Sequence, residues 1–338
     1  MAVLARGLMA SISLCALLAS DPATALSEFV FANNLEAAPD CSSVGLTGCP
    51  GFAIETPALQ IPAGEAVDAC YYFRTPNSGA SAIGRFSSIL DPSVAHFIVW
   101  ATTDNGGLPA DAKAPGTFTT NCGLGSGAGT LNFRWVYAAH TPVEQLRMPD
   151  DDGAGQVVAF ELPANSAGFI EIYYVNPGDS AVTVPPVRLA VNERNAGPYT
   201  KTASFLELYY LINIPPGGSE HQVSSACTMP AASKFWWFST QTHSHGVGTQ
   251  LSKTGSVTTP IVTSSGWELP EIATFAAPGF VEFGAPNDKL LYQCTYSNDT
   301  GGTITFGDDY RNDEVCMGVG YFFPATQSKL CLGSTVSP

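Results

Sequence analysis

Lys234-Phe235-Trp236-Trp237-Phe238-Ser239-Thr240 runs, through Gln241, into Thr242-His243-Ser244-His245. Four consecutive aromatic residues, Phe235 to Phe238, fit a pleated, half-buried surface, so the stretch predicts a β-strand. Similar alternating or aromatic-rich runs recur on both sides: Ala69–Arg74, His96–Ala101, Phe133–Ala138, Gln156–Glu161, Phe169–Val175, Val187–Val191, Ser204–Ile214, Leu290–Tyr296 and Met317–Phe323. Each has about the length of a strand and is flanked by Gly, Pro, Asn or Asp. No long window repeats at 3.6 residues. The expectation is an all-β protein made of two tandem antiparallel β-sandwich, jelly-roll-like domains.

The polar, turn-rich Asn192–Pro198 (NERNAGP) falls near the middle of the chain. It sets expected domains at 26–195 and 196–338, behind a signal peptide at 1–25. In that leader Arg6 supplies the positive start, Gly7–Ser20 the apolar stretch and Ala23-Thr24-Ala25 a small-residue cleavage site. The alternative is an N-terminal membrane anchor, for which the apolar run is short of the ~20 residues that span a bilayer. Cys15 leaves with the leader, and Cys41, Cys49, Cys70, Cys122, Cys227, Cys294, Cys316 and Cys331 remain. An even set in an exported chain predicts four disulfides. The protein is expected to be secreted or periplasmic, with no membrane span in its mature part.

Composition narrows the function classes. The 338 residues carry a net charge of −15, with only 14 Lys+Arg, so a broad basic footprint for nucleic acid is excluded. Hydrophobic residues make up 45%, which excludes a disordered chain even with 33 glycines and 25 prolines. Gly123–Gly129 (GLGSGAG) lacks the Lys and the following helix of a phosphate loop and reads as a turn. Asp150-Asp151-Asp152 has no visible partner ligand for calcium and reads as a solvated turn. Asn298-Asp299-Thr300 is a glycosylation sequon wherever the host glycosylates.

The chain has five histidines, and two of them form the pair after the aromatic strand. Residues two apart on a strand share a face. His243 and His245 are therefore expected to project together and grip one metal ion, with imidazole suiting copper, zinc, nickel or iron. Two surface histidines at a strand end are the alternative. Zinc hydrolysis is the weaker chemistry, because no carboxylate stands beside the pair in a general-base pattern.

The segments C-terminal to the pair carry a resemblance. Leu291-Tyr292-Gln293-Cys294-Thr295-Tyr296-Ser297-Asn298 leads to Thr303-Ile304-Thr305-Phe306-Gly307-Asp308, then to Asn312-Asp313-Glu314-Val315-Cys316-Met317-Gly318-Val319-Gly320-Tyr321-Phe322-Phe323-Pro324. This order, over roughly Cys227 to Cys331, resembles the C-terminal catalytic domain of the type II copper, ascorbate-dependent monooxygenases. More faintly, Asp91–Trp100 and Phe169–Pro177 resemble two strands of the family's other domain, with Trp135–Gly155 as its turn-rich connector.

The resemblance implies copper, O₂ and a reductant such as ascorbate, acting on a small-molecule or peptide substrate. His243 and His245 match two ligands of the oxygen-binding copper. The third, a methionine, falls on Val315, and Met317 two residues on is the candidate replacement; core packing is its other reading. Of the other site's three histidines only His96 is kept, with Ala95 and Tyr173 at the remaining positions. His140 is a nearby alternative, and His221 reads as a loop residue. One copper site is thus expected and the second is not. Cys227–Cys331, Cys294–Cys316, Cys70–Cys122 and Cys41–Cys49 are the pairings that fit the resemblance. The competing function is a non-catalytic copper- or ligand-binding or structural module.

Overall fold

The computed structural model describes residues 51–91, 95–102, 113–120, 134–141, 143–194, 197–285, 287–307 and 309–333. The leader, Gly123–Gly129, Cys41, Cys49 and Cys122 lie outside these. The described residues are all strand, turn and loop, with no helix, and so none contains a helix long and apolar enough to cross a membrane.

An eleven-stranded sheet runs through the protein. Its central order is Gly51–Glu55, Arg188–Glu193, Ser81–Ile89, Val157–Leu162, Tyr199–Tyr209, Cys316–Phe323, Ser233–Gln241 and Ala273–Thr274. The two ends of this order come from opposite halves of the sequence. They join where Tyr199–Tyr209 pairs in parallel with Val157–Leu162, Tyr199 opposite Val157 and Thr202 opposite Phe160. Arg188–Glu193 and Tyr199–Tyr209, on either side of the turn-rich stretch, are thus strands of one sheet.

Two smaller sheets cover it. A five-stranded sheet, in the order Phe118–Thr120, Ala66–Arg74, Ala167–Val175, Ala95–Thr102 and Arg134–Ala139, packs on the first half. Phe73, Trp100, Tyr137, Ile170 and Ile172 from it meet Phe86, Phe160, Leu189 and Val191 of the large sheet. A four-stranded sheet, Glu220–Thr228, Lys289–Ser297, Gly246–Thr254 and Thr259–Ser265, packs on the second half. There Leu251, Leu290, Tyr292 and Tyr296 meet Phe205, Phe235, Phe238 and Phe322. Each core is sandwich-like because alternate residues of paired strands point to one side and bury a common apolar layer.

The first core also spreads onto the back of the second half's strands, taking in Leu206, Trp236, Trp237 and Tyr321. Trp135 is central there. Its indole Nε1 donates to Phe205 O at 2.8 Å, and its ring lies 4.4 Å from that of Tyr321. The Tyr321 hydroxyl in turn donates to Val136 O at 2.6 Å.

All ten predicted runs fall on strands, with one amendment. The run Ser204–Ile214 is broken after Tyr209, and Asn213–Ile214 is a separate short strand. Within the stretch read as a connector, Arg134–Ala139 and Val143–Arg147 are strands. His221 is a strand residue, opposite Tyr296, rather than a loop residue. The carboxylates of the Asp150–Asp152 turn are taken up by protein donors: Asp151 accepts the Gly153 and Gly155 amides, and Asp152 those of Ala154 and Gln156 and the Thr200 hydroxyl. Asp150 pairs with Arg147 and, at 3.1 Å, with Arg194.

Cys227–Cys331 and Cys294–Cys316 are disulfides, with Cα atoms 6.0 and 5.9 Å apart. Cys70 is also disulfide-bonded. These bridges fit an extracytoplasmic protein. The sequon asparagine, Asn298, is fully buried, and its amide nitrogen donates to Ile214 O at 2.9 Å and Gly302 O at 2.8 Å.

Candidate metal centre

The aromatic strand Ser233–Gln241 ends before the histidine pair. Thr242-His243-Ser244-His245 is the turn into Gly246–Thr254, so the expected strand placement of the pair is corrected to a turn. The turn is tight. The Gly246 amide donates to His243 O at 3.0 Å, and the Ser297 amide donates to His245 O at 2.9 Å. Glycine is required at 246, because a β-carbon there would collide with Thr242 Oγ1.

Each imidazole is bonded by a carbonyl of the segment 309–314, which follows the Phe306-Gly307 loop. His243 Nδ1 lies 3.1 Å from Asp313 O, and His245 Nε2 lies 3.0 Å from Arg311 O. A carbonyl oxygen only accepts, so each of these ring nitrogens carries a proton. In a neutral ring the lone pair is then left on Nε2 of His243 and on Nδ1 of His245. His243 is only 7% exposed, and burial pulls its pKa down to about 4. It is therefore neutral over the ordinary pH range.

The main chain of the turn is held from the same segment. Glu314 Oε2 accepts the His243 amide at 2.8 Å, and Oε1 accepts the His245 amide at 2.7 Å. Burial raises the Glu314 pKa to about 7, against the backbone amides that stabilise its charge. This carboxylate stands beside the pair, yet its oxygens are occupied by amides and it has no exposed surface. It does not supply the general base that zinc hydrolysis needs.

A metal ion suits this donor set in part. Metal-binding histidines commonly donate their second ring N–H to a backbone carbonyl, which fixes tautomer and orientation. Both histidines here do so. Among the described residues no group of three His, Cys, Asp or Glu is placed to hold a metal ion. Val315 is buried, and the Tyr296 hydroxyl donates to its carbonyl at 2.8 Å. Met317 stands in Cys316–Phe323 opposite Gln241, two residues before His243. It is half-buried and packs against the first core.

The first-half residues enter through aromatic rings. Tyr173, on Ala167–Val175, is buried, and its ring lies 4.6 Å from that of Tyr310. Tyr310 also lies 5.3 Å from the His243 ring and 4.5 Å from Trp267. His96 falls at the bulge where Tyr173 pairs with Phe97 and Tyr174 with Ala95. His140 follows Arg134–Ala139, and burial pushes its pKa to about 4.

Sequence reasoning gave no role to Glu314, Tyr310 or Trp267. Glu314 stands inside the stretch that carries the resemblance, but nothing local marks its carboxylate as buried, and Tyr310 lies between the quoted segments. Trp267 follows Gly266 outside every predicted strand.

No curated protein matches the chain. Several solved structures match the chain at low likeness. The STIV MCP has 7% identity over 82% of this chain and 95% of its own, with a TM-score of 0.30. A putative secreted protein from Parabacteroides distasonis has 6% identity over 82% and 90%, with a TM-score of 0.23. The turret protein A223 of Sulfolobus turreted icosahedral virus has 11% identity over 81% and 99%, with a TM-score of 0.17. At such scores these likenesses bear on neither fold nor function. The second half is different: residues 201–337 match the family model of the copper type II ascorbate-dependent monooxygenase C-terminal domain, the family that the pattern of His243, His245, Cys294 and Cys316 resembles.

Proposed function

We propose that the protein is a secreted copper protein whose metal is held by His243 and His245. In this reading it hydroxylates an organic substrate with O₂, using a reductant such as ascorbate. The observation that carries the proposal is the paired tautomers. Each histidine gives its ring N–H to a backbone carbonyl and keeps the other nitrogen for a ligand bond. The leader at 1–25 and the disulfides support export.

Copper at this pair would supply one-electron redox chemistry and oxygen activation. The chain's own residues do the rest. Asp313 O and Arg311 O orient the two rings, Tyr310, itself packed on Trp267, lies against His243, and the low pKa of His243 keeps protons from competing for its nitrogen. Met317 is the candidate third ligand and requires its side chain to leave the packing against the first core. His96 is the remnant of the second site.

Hydroxylation of a C–H bond by O₂ takes two electrons from outside the substrate, and one copper carries one at a time. A second reading, a copper- or ligand-binding module without turnover, is favoured by Tyr173. It holds a position where the resemblance expects a histidine, and its ring packs at a tilt against Tyr310.

Copper titration followed by electron paramagnetic resonance tests the site: one type II signal is expected, and it should be lost in His243→Ala. An unchanged signal in that variant sinks the assignment. Oxygen uptake with ascorbate, with and without peptide and phenethylamine substrates, separates the enzyme from the module.

A further inference from the structure

We propose that Glu314 is the positioning residue of the His243–His245 site, setting the distance between the two histidines through their backbone amides. The inference deepens the copper reading and rests on it.

Glu314 has no exposed surface. A carboxylate buried this fully costs several kcal/mol unless its oxygens are satisfied. Here the partners are main-chain amides of the histidine turn itself. Oε2 takes His243 N at 2.8 Å and, more loosely, Val315 N at 3.3 Å, while Oε1 takes His245 N at 2.7 Å. The two oxygens of one rigid, planar group thus fix residues two apart in the chain. Bonds from a charged acceptor are about twice as strong as neutral ones. Ser244, between them, is tied to the same segment by its amide, 3.4 Å from Tyr310 O.

Glu314 is itself fixed. Its amide donates to Thr305 O at 2.9 Å, and its carbonyl accepts the Gly307 amide at 3.3 Å. A β-carbon at Gly307 would meet the Asp313 carboxylate packed against it, so a larger residue there must displace that side chain. The segment therefore grips each histidine twice, at the ring from Asp313 and Arg311 and at the backbone from Glu314. Ring bonds alone leave each imidazole free to swing with its own main chain. The carboxylate removes that freedom and presents the two free ring nitrogens as a pair.

A carboxylate that merely capped the turn would change stability and leave bound copper unaltered. A positioning carboxylate changes the copper. The test is copper(II) binding by chelator competition, with paramagnetic resonance spectra, for wild type, Glu314→Gln, Glu314→Asp and His243→Ala. Glu314→Gln keeps the shape but points a donor at one of the amides. It is expected to bind copper about 10–100-fold more weakly, the usual cost of losing an outer partner. Its hyperfine splitting should shift, and Glu314→Asp should recover part of the loss. Folded Glu314→Gln with wild-type affinity and spectrum overturns the proposal while leaving the copper reading intact. An unchanged His243→Ala spectrum overturns both. Amide hydrogen exchange on the metal-free wild type keeps the test open if Glu314→Gln does not fold. Slow exchange at His243 and His245 supports the proposal, and exchange at the rate of free amides defeats it.

Discussion

The ring of Tyr310 lies 4.6 Å from the ring of Tyr173, a residue contributed by a strand of the first half of the chain. Tyr310 belongs to the segment that orients the histidine pair, and its ring also lies 5.3 Å from His243. One side chain therefore couples the surroundings of the candidate metal centre to the first half's five-stranded sheet. Aromatic pairs at such distances contribute about 0.5–1.5 kcal/mol beyond their buried area.

The Tyr310 hydroxyl is buried and makes no hydrogen bond among the described residues. Burying an unpaired hydroxyl opposes folding. Tyr310→Phe keeps the ring contacts and removes that cost, so it should match wild type in urea denaturation or exceed it by about 1 kcal/mol. Tyr310→Ala deletes the ring from between Tyr173, Trp267 and His243 and should cost about 3–5 kcal/mol. A Phe variant as damaged as the Ala variant would show that the hydroxyl, and not the ring, is what matters.

The strands that could be read from the sequence are those whose inward positions are aromatic or aliphatic, such as Ser233–Gln241 and Ala167–Val175. Gly246–Thr254 (GVGTQLSKT) escaped notice because its buried side includes Thr249 and Ser252 as well as Leu251. The Thr249 hydroxyl is satisfied at 2.8 Å by Thr240 Oγ1, on another strand. Polar residues paired across strands erase the alternation that marks a half-buried strand. The histidine pair was legible as a pair, but its turn was not, since the bonds that end the strand come from Ser297 and Glu314. Burial of one carboxylate in the run Asp309 to Glu314 depends on amides some seventy residues away. Local pattern carries no trace of that.

Glu207 gives the stability of the second core a pH dependence. It is fully buried on Tyr199–Tyr209, between Phe205 and Tyr209 of that core, and neither carboxylate oxygen has a well-formed hydrogen bond. Burial raises its pKa from 4.5 to about 7, opposed only by the Ser225 hydroxyl. The folded state therefore holds this proton where the unfolded state has released it. The contribution of Glu207 is fully present below about pH 4.5 and is lost as pH rises through about 7. Glu207→Gln, which does not titrate, should flatten that part of the profile, as read by urea midpoints at pH 5, 6, 7 and 8. An identical slope in the variant would assign the dependence to other groups.

Asn298 is a structural residue although it heads a sequon. Its amide nitrogen bridges Ile214 O and Gly302 O, and its oxygen accepts the Thr300 amide at 3.0 Å. Asn298→Ala strands two buried or half-buried carbonyls and should cost about 1–3 kcal/mol. A thermal melt of that variant is the check. The folded protein should also resist modification at this nitrogen, so a glycan found there by peptide mass mapping would contradict the burial.

Trp135 and Tyr321 bear on whether the two halves unfold separately. Trp135 donates across to Phe205 O, Tyr321 donates back to Val136 O, and their rings lie 4.4 Å apart. The large sheet also crosses the middle of the chain through the Val157–Tyr199 register. An interface that is both a continuous sheet and an apolar core should not open before its halves melt. A single denaturation transition is expected, coincident by tryptophan fluorescence and far-ultraviolet circular dichroism. Trp135→Phe removes the indole donor to Phe205 O, and Tyr321→Phe removes the hydroxyl donor to Val136 O. Each should lower stability by about 1–3 kcal/mol without splitting the transition. Because the rings touch, the double variant should depart from additivity by about 0.5 kcal/mol or more. Two resolved transitions in wild type, or strict additivity in the cycle, would mean that the halves fold as independent bodies and that this contact is incidental.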